Sequence, residues 1–228
     1  TGTVGSTNAL KDVNSGVNGT TSTFSGTVNS QNVTNTGSGT TIFQDDVTAT
    51  NVNVNAGTST FQDNLNATTT TITTGTGNFN TLSGTTSSNI VFGGDGTANL
   101  NNGLTGNVTT NTLNTGTLNL VGTNNQTITG TVGSTNALKD VNSGVNGTTS
   151  TFSGTVNSQN VTNTGSGTTI FQDDVTATNV NVNAGTSTFQ DNLNATTTTI
   201  TTGTGNFNTL SGTTSSNIVF GGDGTANL

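Results

Sequence analysis

Phenylalanine returns along this sequence at a nearly constant interval. Phe24, Phe43, Phe61 and Phe79 are separated by 19, 18 and 18 residues, and short runs of Thr, Val, Ile and Asn surround each of them. Glycines separate these runs. Such a period is typical of a β-solenoid, in which each coil of chain adds short strands that pair with the coils above and below. The chain is therefore predicted to be all-β, a parallel β-helix with about 18–19 residues per coil.

Leucine continues the phenylalanine series, and we call the whole set the anchor positions. The later anchors are Leu100 and Leu118. A threonine stands three residues before every anchor, at Thr21, Thr40, Thr58, Thr76, Thr97 and Thr115. Because side chains alternate between the two faces of a strand, this threonine is expected to face solvent when the anchor faces the core. A second apolar set is expected to fill another part of the core: Val33, Val52, Val54, Ile72, Ile90 and Leu113.

A longer repeat contains the short one. Residues 129–228 are identical to residues 1–100, which gives a period of 128. We predict one repeat unit at 1–128 and a truncated second copy at 129–228, both within one uninterrupted solenoid. At the interval of the anchors, 128 residues correspond to about seven coils. Near the boundary both Val132 and Leu138 are candidate anchors, and the sequence leaves that choice open.

The composition excludes several classes of function. The chain has two basic residues, Lys11 and Lys139, and it lacks Arg, His and Cys. Nucleic-acid binding, zinc coordination by His or Cys, and a Cys or Ser–His nucleophile therefore lack the residues that they need. No apolar run is long enough to cross a membrane. A β-helix lyase or hydrolase would need clustered acids beside Lys or Arg, so no enzymatic activity is predicted.

Aspartates at equivalent coil positions form the candidate metal site. The segments FQDDV (43–47) and FQDNL (61–65) are one coil apart, which predicts that Asp45 lies directly above Asp63. Stacked carboxylates about 5 Å apart repel each other, and a calcium ion bound by oxygens of both coils would relieve the repulsion. In the alternative interpretation these side chains point into water at a turn. The candidate calcium ligands are Asp45, Asp46, Asp63, Asp173, Asp174 and Asp191; no other cofactor is predicted.

The segment NFNTLSGTTSSNIVFGGDGTANLNNGLTGNVTTNTLNTGTLNL (78–120) resembles the passenger regions of large bacterial surface proteins. These are the autotransporter and haemagglutinin-like β-helix adhesins, which include the rickettsial outer-membrane protein families. The resemblance lies in the coils rich in Asn, Thr and Gly. It implies a right-handed parallel β-helix, export to the cell surface, and a role in adhesion or in building a surface coat.

Two functions are compatible with these features. The first is structural: an extracellular filament, stalk or surface layer in which copies of the chain contact one another end to end or laterally. The alternative is an adhesin passenger region that binds a cell surface or a glycan. An adhesin would expose aromatic rings for stacking on sugars, and Phe92, beside the glycine loop at 93–96, is the candidate. Because the other phenylalanines are predicted to face inward, the structural role is favoured.

Overall fold

The computed structural model describes residues 2–228 and consists of β-strands joined by turns. In chain order the first copy contains β1 (Leu10–Ser15), β2 (Thr21–Phe24), β3 (Val28–Asn35), β4 (Thr40–Phe43), β5 (Val47–Val54), β6 (Thr58–Phe61), β7 (Leu65–Ile72), β8 (Thr76–Phe79), β9 (Thr86–Phe92), β10 (Thr97–Leu100), β11 (Leu104–Thr105), β12 (Val108–Thr110), β13 (Thr115–Leu120) and β14 (Gln126–Ile128). The second copy contains β15 (Leu138–Ser143), β16 (Thr149–Phe152), β17 (Val156–Asn163), β18 (Thr168–Phe171), β19 (Val175–Val182), β20 (Thr186–Phe189), β21 (Leu193–Ile200), β22 (Thr204–Asn206), β23 (Thr214–Phe220) and β24 (Thr225–Asn227).

The strands form two parallel sheets that run the length of the molecule. One sheet has 13 strands and the other has 11. Strands within the stack pair with the strand one coil below and the strand one coil above, as β5 does with β3 and β7. The prediction of an all-β parallel β-solenoid is therefore confirmed.

Each long strand bends near its middle, and the bend gives the coil three inner faces. In β5 the buried residues are first Val47 and Ala49, then Val52 and Val54, so the inward alternation shifts by one residue between the two pairs. We name the inner faces by the residues that line them. The first face is lined by residues equivalent to Val47 and Ala49, the second by those equivalent to Val52 and Val54, and the third by the short strand with its anchor, Phe61 in β6.

Stacked phenylalanine rings line the third face of the first copy. The rings stack in the order Phe24, Phe43, Phe61 and Phe79. The centroids of neighbouring rings are 4.9–5.4 Å apart, and the angle between neighbouring ring planes is 2–12°. Thr58, three residues before its anchor, is half-buried on the outer side, as expected from the alternation. The predicted ladder of anchors is therefore confirmed in these coils.

The prediction was wrong at two leucines between residues 111 and 120. Leu118 pairs with Ala98, and Leu120 is the residue that pairs with Leu100. Leu113, expected in the core, is 60% exposed, and Val108 pairs with Ile90 instead. The cause is a turn before β13, in which Asn114 has φ of 58°. The residues of this turn leave the stack and move the anchor two positions along the chain.

The second copy advances by one face relative to the first. Six turns along the second face lead from Val13 through Val33, Val52, Thr70, Ile90 and Val108 to Val132. However, Val141, the counterpart of Val13, lies on Leu118 of the third face. One 128-residue copy therefore comprises six turns and one further face.

The same advance places every segment of the second copy on a new face. Phe152 stacks on Ile128 of the first face, and Val156 stacks on Val132 of the second. The repeat has fewer turns than the seven predicted because the coils are longest near the boundary. Leu104 and Ile128 are paired equivalents 24 residues apart, whereas Phe43 and Phe61 are 18 apart.

Candidate functional site on the outer surface

The structure brings the predicted aspartates together at two consecutive turns. Asp45 and Asp46 follow β4, and Asp63 follows β6 one coil above. One carboxylate oxygen from each of the three lies within 4.8 Å of the others, and Asp173, Asp174 and Asp191 form the same group in the second copy. The predicted juxtaposition of the carboxylates is therefore present in both copies.

Local hydrogen bonds already engage two of these carboxylates. Asp46 Oδ1 accepts from Asn64 Nδ2 at 2.8 Å and from the Asn64 backbone N–H at 3.3 Å. Asp45 Oδ1 accepts from the Asp46 backbone N–H at 2.9 Å. The amide donors offset part of the repulsion between the stacked carboxylates. The remaining oxygens are of the type that calcium prefers, so the residues present fit this ion.

Calcium binding at the two aspartate groups stays a prediction. If it occurs, isothermal titration calorimetry of the 228-residue chain with calcium chloride will show two sites per chain. The matched control replaces Asp45, Asp63, Asp173 and Asp191 with Asn, which keeps the size of each side chain. A thermal unfolding midpoint that calcium does not change, together with no heat of binding, would contradict the prediction.

A ladder of asparagine amides crosses the boundary between the copies on the outer side of the third face. Asn99 Nδ2 donates to Asn78 Oδ1, Asn119 to Asn99, and Asn142 to Asn119, each at 2.8 Å. Asn142 belongs to the second copy, so the ladder does not stop where the repeat begins again. Consecutive coils are thus joined by side-chain hydrogen bonds in addition to those of the backbone.

One ion pair also connects the two copies. Lys139 Nζ in β15 donates to Asp95 Oδ2 at 2.8 Å, and both side chains are exposed. This hydrogen bond lowers the pKa of Asp95 below its ordinary value of 3.8 and raises the pKa of Lys139 above 10.5. Asp95 lies in the glycine loop at 93–96, which joins β9 to β10. The loop therefore contributes a contact to the copy boundary.

The Lys139–Asp95 pair is expected to contribute a small, pH-dependent stabilisation. Because the pKa of Asp95 is depressed on folding, its contribution is present above pH 3.8 and is lost as the pH falls through the lower folded value. Because the pKa of Lys139 is raised, the contribution also disappears as the pH rises above 10.5. Lys139→Gln should therefore lower the melting temperature slightly at neutral pH and low salt, and not at about pH 2.

The matched control for this measurement is Lys11→Gln. Lys11 is the counterpart of Lys139 in the first copy, and within residues 2–228 the ion pair involves Lys139 alone. Equal melting temperatures for the two variants at neutral pH would show that the Asp95 contact adds nothing to stability.

A shallow groove follows the outside of the first face in the first copy. A recess of about 390 Å³ beside Asp46, Thr48 and Asn66 adjoins two further recesses that reach Thr105 and Thr127. Most polar side chains of the lining present hydroxyl or amide groups, Asp46 presents a carboxylate, and none of the lining side chains is aromatic. The groove can therefore offer hydrogen bonds to a ligand, but it offers no ring for stacking.

Phe92, the predicted exposed aromatic, is buried. Its side chain is 0% exposed and its ring packs on Gly116, where an added Cβ would lie 2.3 Å from ring carbons. Phe92 is the second-face residue that pairs with Ile72, which explains its inward orientation. Sequence reasoning also missed Leu82 and Val121, which are exposed on one corner of the coil.

Residues 2–228 contain no helix with the length and apolar character needed to span a bilayer. Comparison of the chain with protein-family models, with curated proteins and with solved structures finds no match.

Proposed function

We propose that this chain is a structural segment of an extracellular bacterial filament, stalk or surface layer, built from stacked β-solenoid coils. The observation that supports the proposal best is the continuity of the stack across the copy boundary. There β13 pairs with β15, and β14 pairs with β16. A tandem copy therefore lengthens one rod instead of adding a separate domain on a linker.

The boundary is packed as well as the coils within a copy. Ile128, Val132 and Val141 are each 0% exposed, and they contact residues of both copies. The Asn119–Asn142 hydrogen bond and the Lys139–Asp95 ion pair add polar contacts at the same level. Side-chain burial and polar contacts between coils therefore continue through the boundary.

The dimensions of the rod follow from the strand spacing. Adjacent strands lie about 4.8 Å apart, so six turns and one face make each 128-residue copy about 30 Å long. The surface location is proposed from the resemblance of residues 78–120 to bacterial surface β-helix proteins.

Tandem arrays of two, three and four copies test this proposal. Small-angle X-ray scattering should show a rod that lengthens by about 30 Å per copy. The denaturation midpoint should rise with copy number towards a plateau, because each coil is stabilised by its neighbours. Cryo-electron microscopy of cell-surface material should then show a meridional signal near 4.8 Å. Arrays that behave as beads on flexible linkers, with one constant midpoint, would contradict the proposal.

The groove outside the first face favours adhesion as a second candidate function. Its hydroxyl and amide groups, including those of Thr48, Asn66 and Thr105, could hydrogen-bond a glycan of a host or neighbouring cell. Binding to a glycan panel that is lost in Thr105→Lys and kept in Leu113→Lys would support this candidate. Leu113 is exposed outside the groove and so serves as the control.

A further inference from the structure

The stack of coils has an open edge at β23 and β24. Both strands pair with the coil below, β23 with β21 and β24 with β22, and within residues 2–228 no strand pairs with their other side. Apolar side chains are exposed there: Phe220 is 54% exposed and Leu228 is 86% exposed. The edge therefore presents apolar side chains and backbone hydrogen-bonding groups to an incoming strand.

The same edge is present in the first copy, but there it is covered. Residues 86–100 are identical to residues 214–228. In this copy Phe92 and Leu100, the counterparts of the two exposed residues, are each 0% exposed. The cover is the segment 101–120, which forms β11, β12 and β13. The first copy therefore shows which segment of the chain fits this edge.

Backbone pairing places the segment on the edge in a fixed register. Val108 pairs with Ile90, and Leu120 pairs with Leu100. The Ile90 N–H donates to the Asn107 carbonyl oxygen at 2.8 Å. Because the open edge has the same residues in the same order, it offers the same pairing positions to a strand that is added to it.

Two glycines let the segment lie close to the edge. An added Cβ would lie 2.3 Å from ring carbons of Phe92 at Gly116, and 2.2 Å from the Ser88 carbonyl oxygen at Gly106. Both glycines have positive φ, 81° and 143° respectively. A side chain at either position would clash with the edge, so the segment fits by shape as well as by hydrogen bonding.

Charge does not oppose this contact, although the net charge of the chain is −8. Residues 96–138, which include the whole segment, contain no charged side chain. Asp223 lies between the two edge strands, and its counterpart Asp95 accepts a hydrogen bond from the Gly116 N–H at 3.3 Å. The segment therefore supplies a donor to the acid of the edge and adds no negative charge.

We propose that the open edge of β23 and β24 binds residues 101–120 of another molecule of this chain by strand addition. The segment must come from a molecule in which it is not folded, because in the folded chain β13 is already paired on both sides, with β10 and β15. Two folded chains therefore do not associate through it. The proposal rests on the structural function proposed above and names the segment by which a rod gains its next coil.

A synthetic peptide of residues 101–120 tests the site, with the folded 228-residue chain as the receptor. Isothermal titration calorimetry at peptide concentrations up to about 1 mM should detect binding. Gly116→Val in the peptide should weaken binding about tenfold or more, because an added side chain at this position meets the phenylalanine ring of the edge.

The matched control peptide carries Leu113→Ser. Leu113 is 60% exposed where the segment covers the edge of the first copy, so this change should leave binding unchanged. Absence of binding by the unmodified peptide, or equal binding by the Gly116→Val peptide, would overturn the proposal.

Two neighbouring residues of β23 locate the binding on the receptor. Phe220→Asp should weaken it about tenfold or more, since docking would bury the carboxylate as Phe92 is buried under the same segment. Val219→Asp is the control: Val219 is 46% exposed, and its counterpart Val91 stays half-buried on the outer side of the covered edge. Both positions are exposed in the free chain, so neither variant buries a charge there. Equal effects of the two variants would overturn this site.

The scattering experiment on tandem arrays decides the structural function separately. Arrays that lengthen as rods, together with a peptide that does not bind, would reject strand addition and keep the structural function. Arrays that behave as beads on linkers would reject the structural function whatever the peptide does.

Discussion

Phe171→Ala is expected to reduce the free energy of unfolding by about 4 kcal/mol. Phe171 is 1% exposed, and its ring lies between those of Phe152 and Phe189, with centroids 5.2 and 5.0 Å away. Truncation leaves a cavity with an aromatic ring above and below it, and the coil spacing set by backbone pairing prevents the stack from closing the gap. Chemical denaturation followed by circular dichroism measures the loss.

Phe220→Ala is the matched control, because Phe220 is 54% exposed on β23. Its expected effect is below about 1 kcal/mol, since removing an exposed side chain creates no cavity. Loss of equal stability in both variants would contradict the idea that the stacked rings, and not aromatic content alone, stabilise the coils.

The recurrence of phenylalanine predicts much of the fold because a solenoid pairs each residue with its equivalent one coil away. A side chain that faces the core at Phe43 must meet Phe61, and the residues before each anchor alternate accordingly. The same register places Asp45 near Asp63, so the aspartate group could also be predicted from sequence. These successes depend on coils of nearly constant length.

The advance by one face could not be predicted, because it depends on which residues leave the stack. The turns at 80–85 and 111–114 are rich in Asn and Thr, as are the strands beside them. Polar side chains in the core obscure the pattern further: Ser15 Oγ and Thr41 Oγ1 are buried and hydrogen-bonded to each other at 2.8 Å. A serine or threonine in this sequence therefore does not indicate that the position faces solvent.

The surface features that the sequence did not predict involve residues that are far apart in the sequence and lie close together on the rod. Asp95 and Lys139 are 44 residues apart, and neither segment has a charge pattern that indicates the pair. Leu82 and Val121 line one recess because the loops at 80–85 and 121–125 lie at the same corner of the coil. Contacts of this kind need the number of turns between two residues, which the period alone did not supply.

Val132→Asp is expected to uncouple the two copies. Val132 is 0% exposed and bridges Val108 of the first copy and Val156 of the second. A carboxylate at this position would be buried without a partner, which costs about 4 kcal/mol or more. The coils on either side keep their own stacks, so unfolding should change from one transition to two in differential scanning calorimetry.

Hydrogen exchange locates this effect, and the first copy supplies the control. In Val132→Asp the N–H groups of Asn157 and Gly133, which donate to Val132 and Val108 carbonyl oxygens, should exchange faster than those in β19. Val4 has the same local sequence as Val132 but bridges only to Val28, so Val4→Asp should cost much less. Two outcomes would contradict this prediction: a similar loss of stability in the two variants, or unfolding of Val132→Asp in a single transition. Either would show that stacking at Val132 does not couple the two copies.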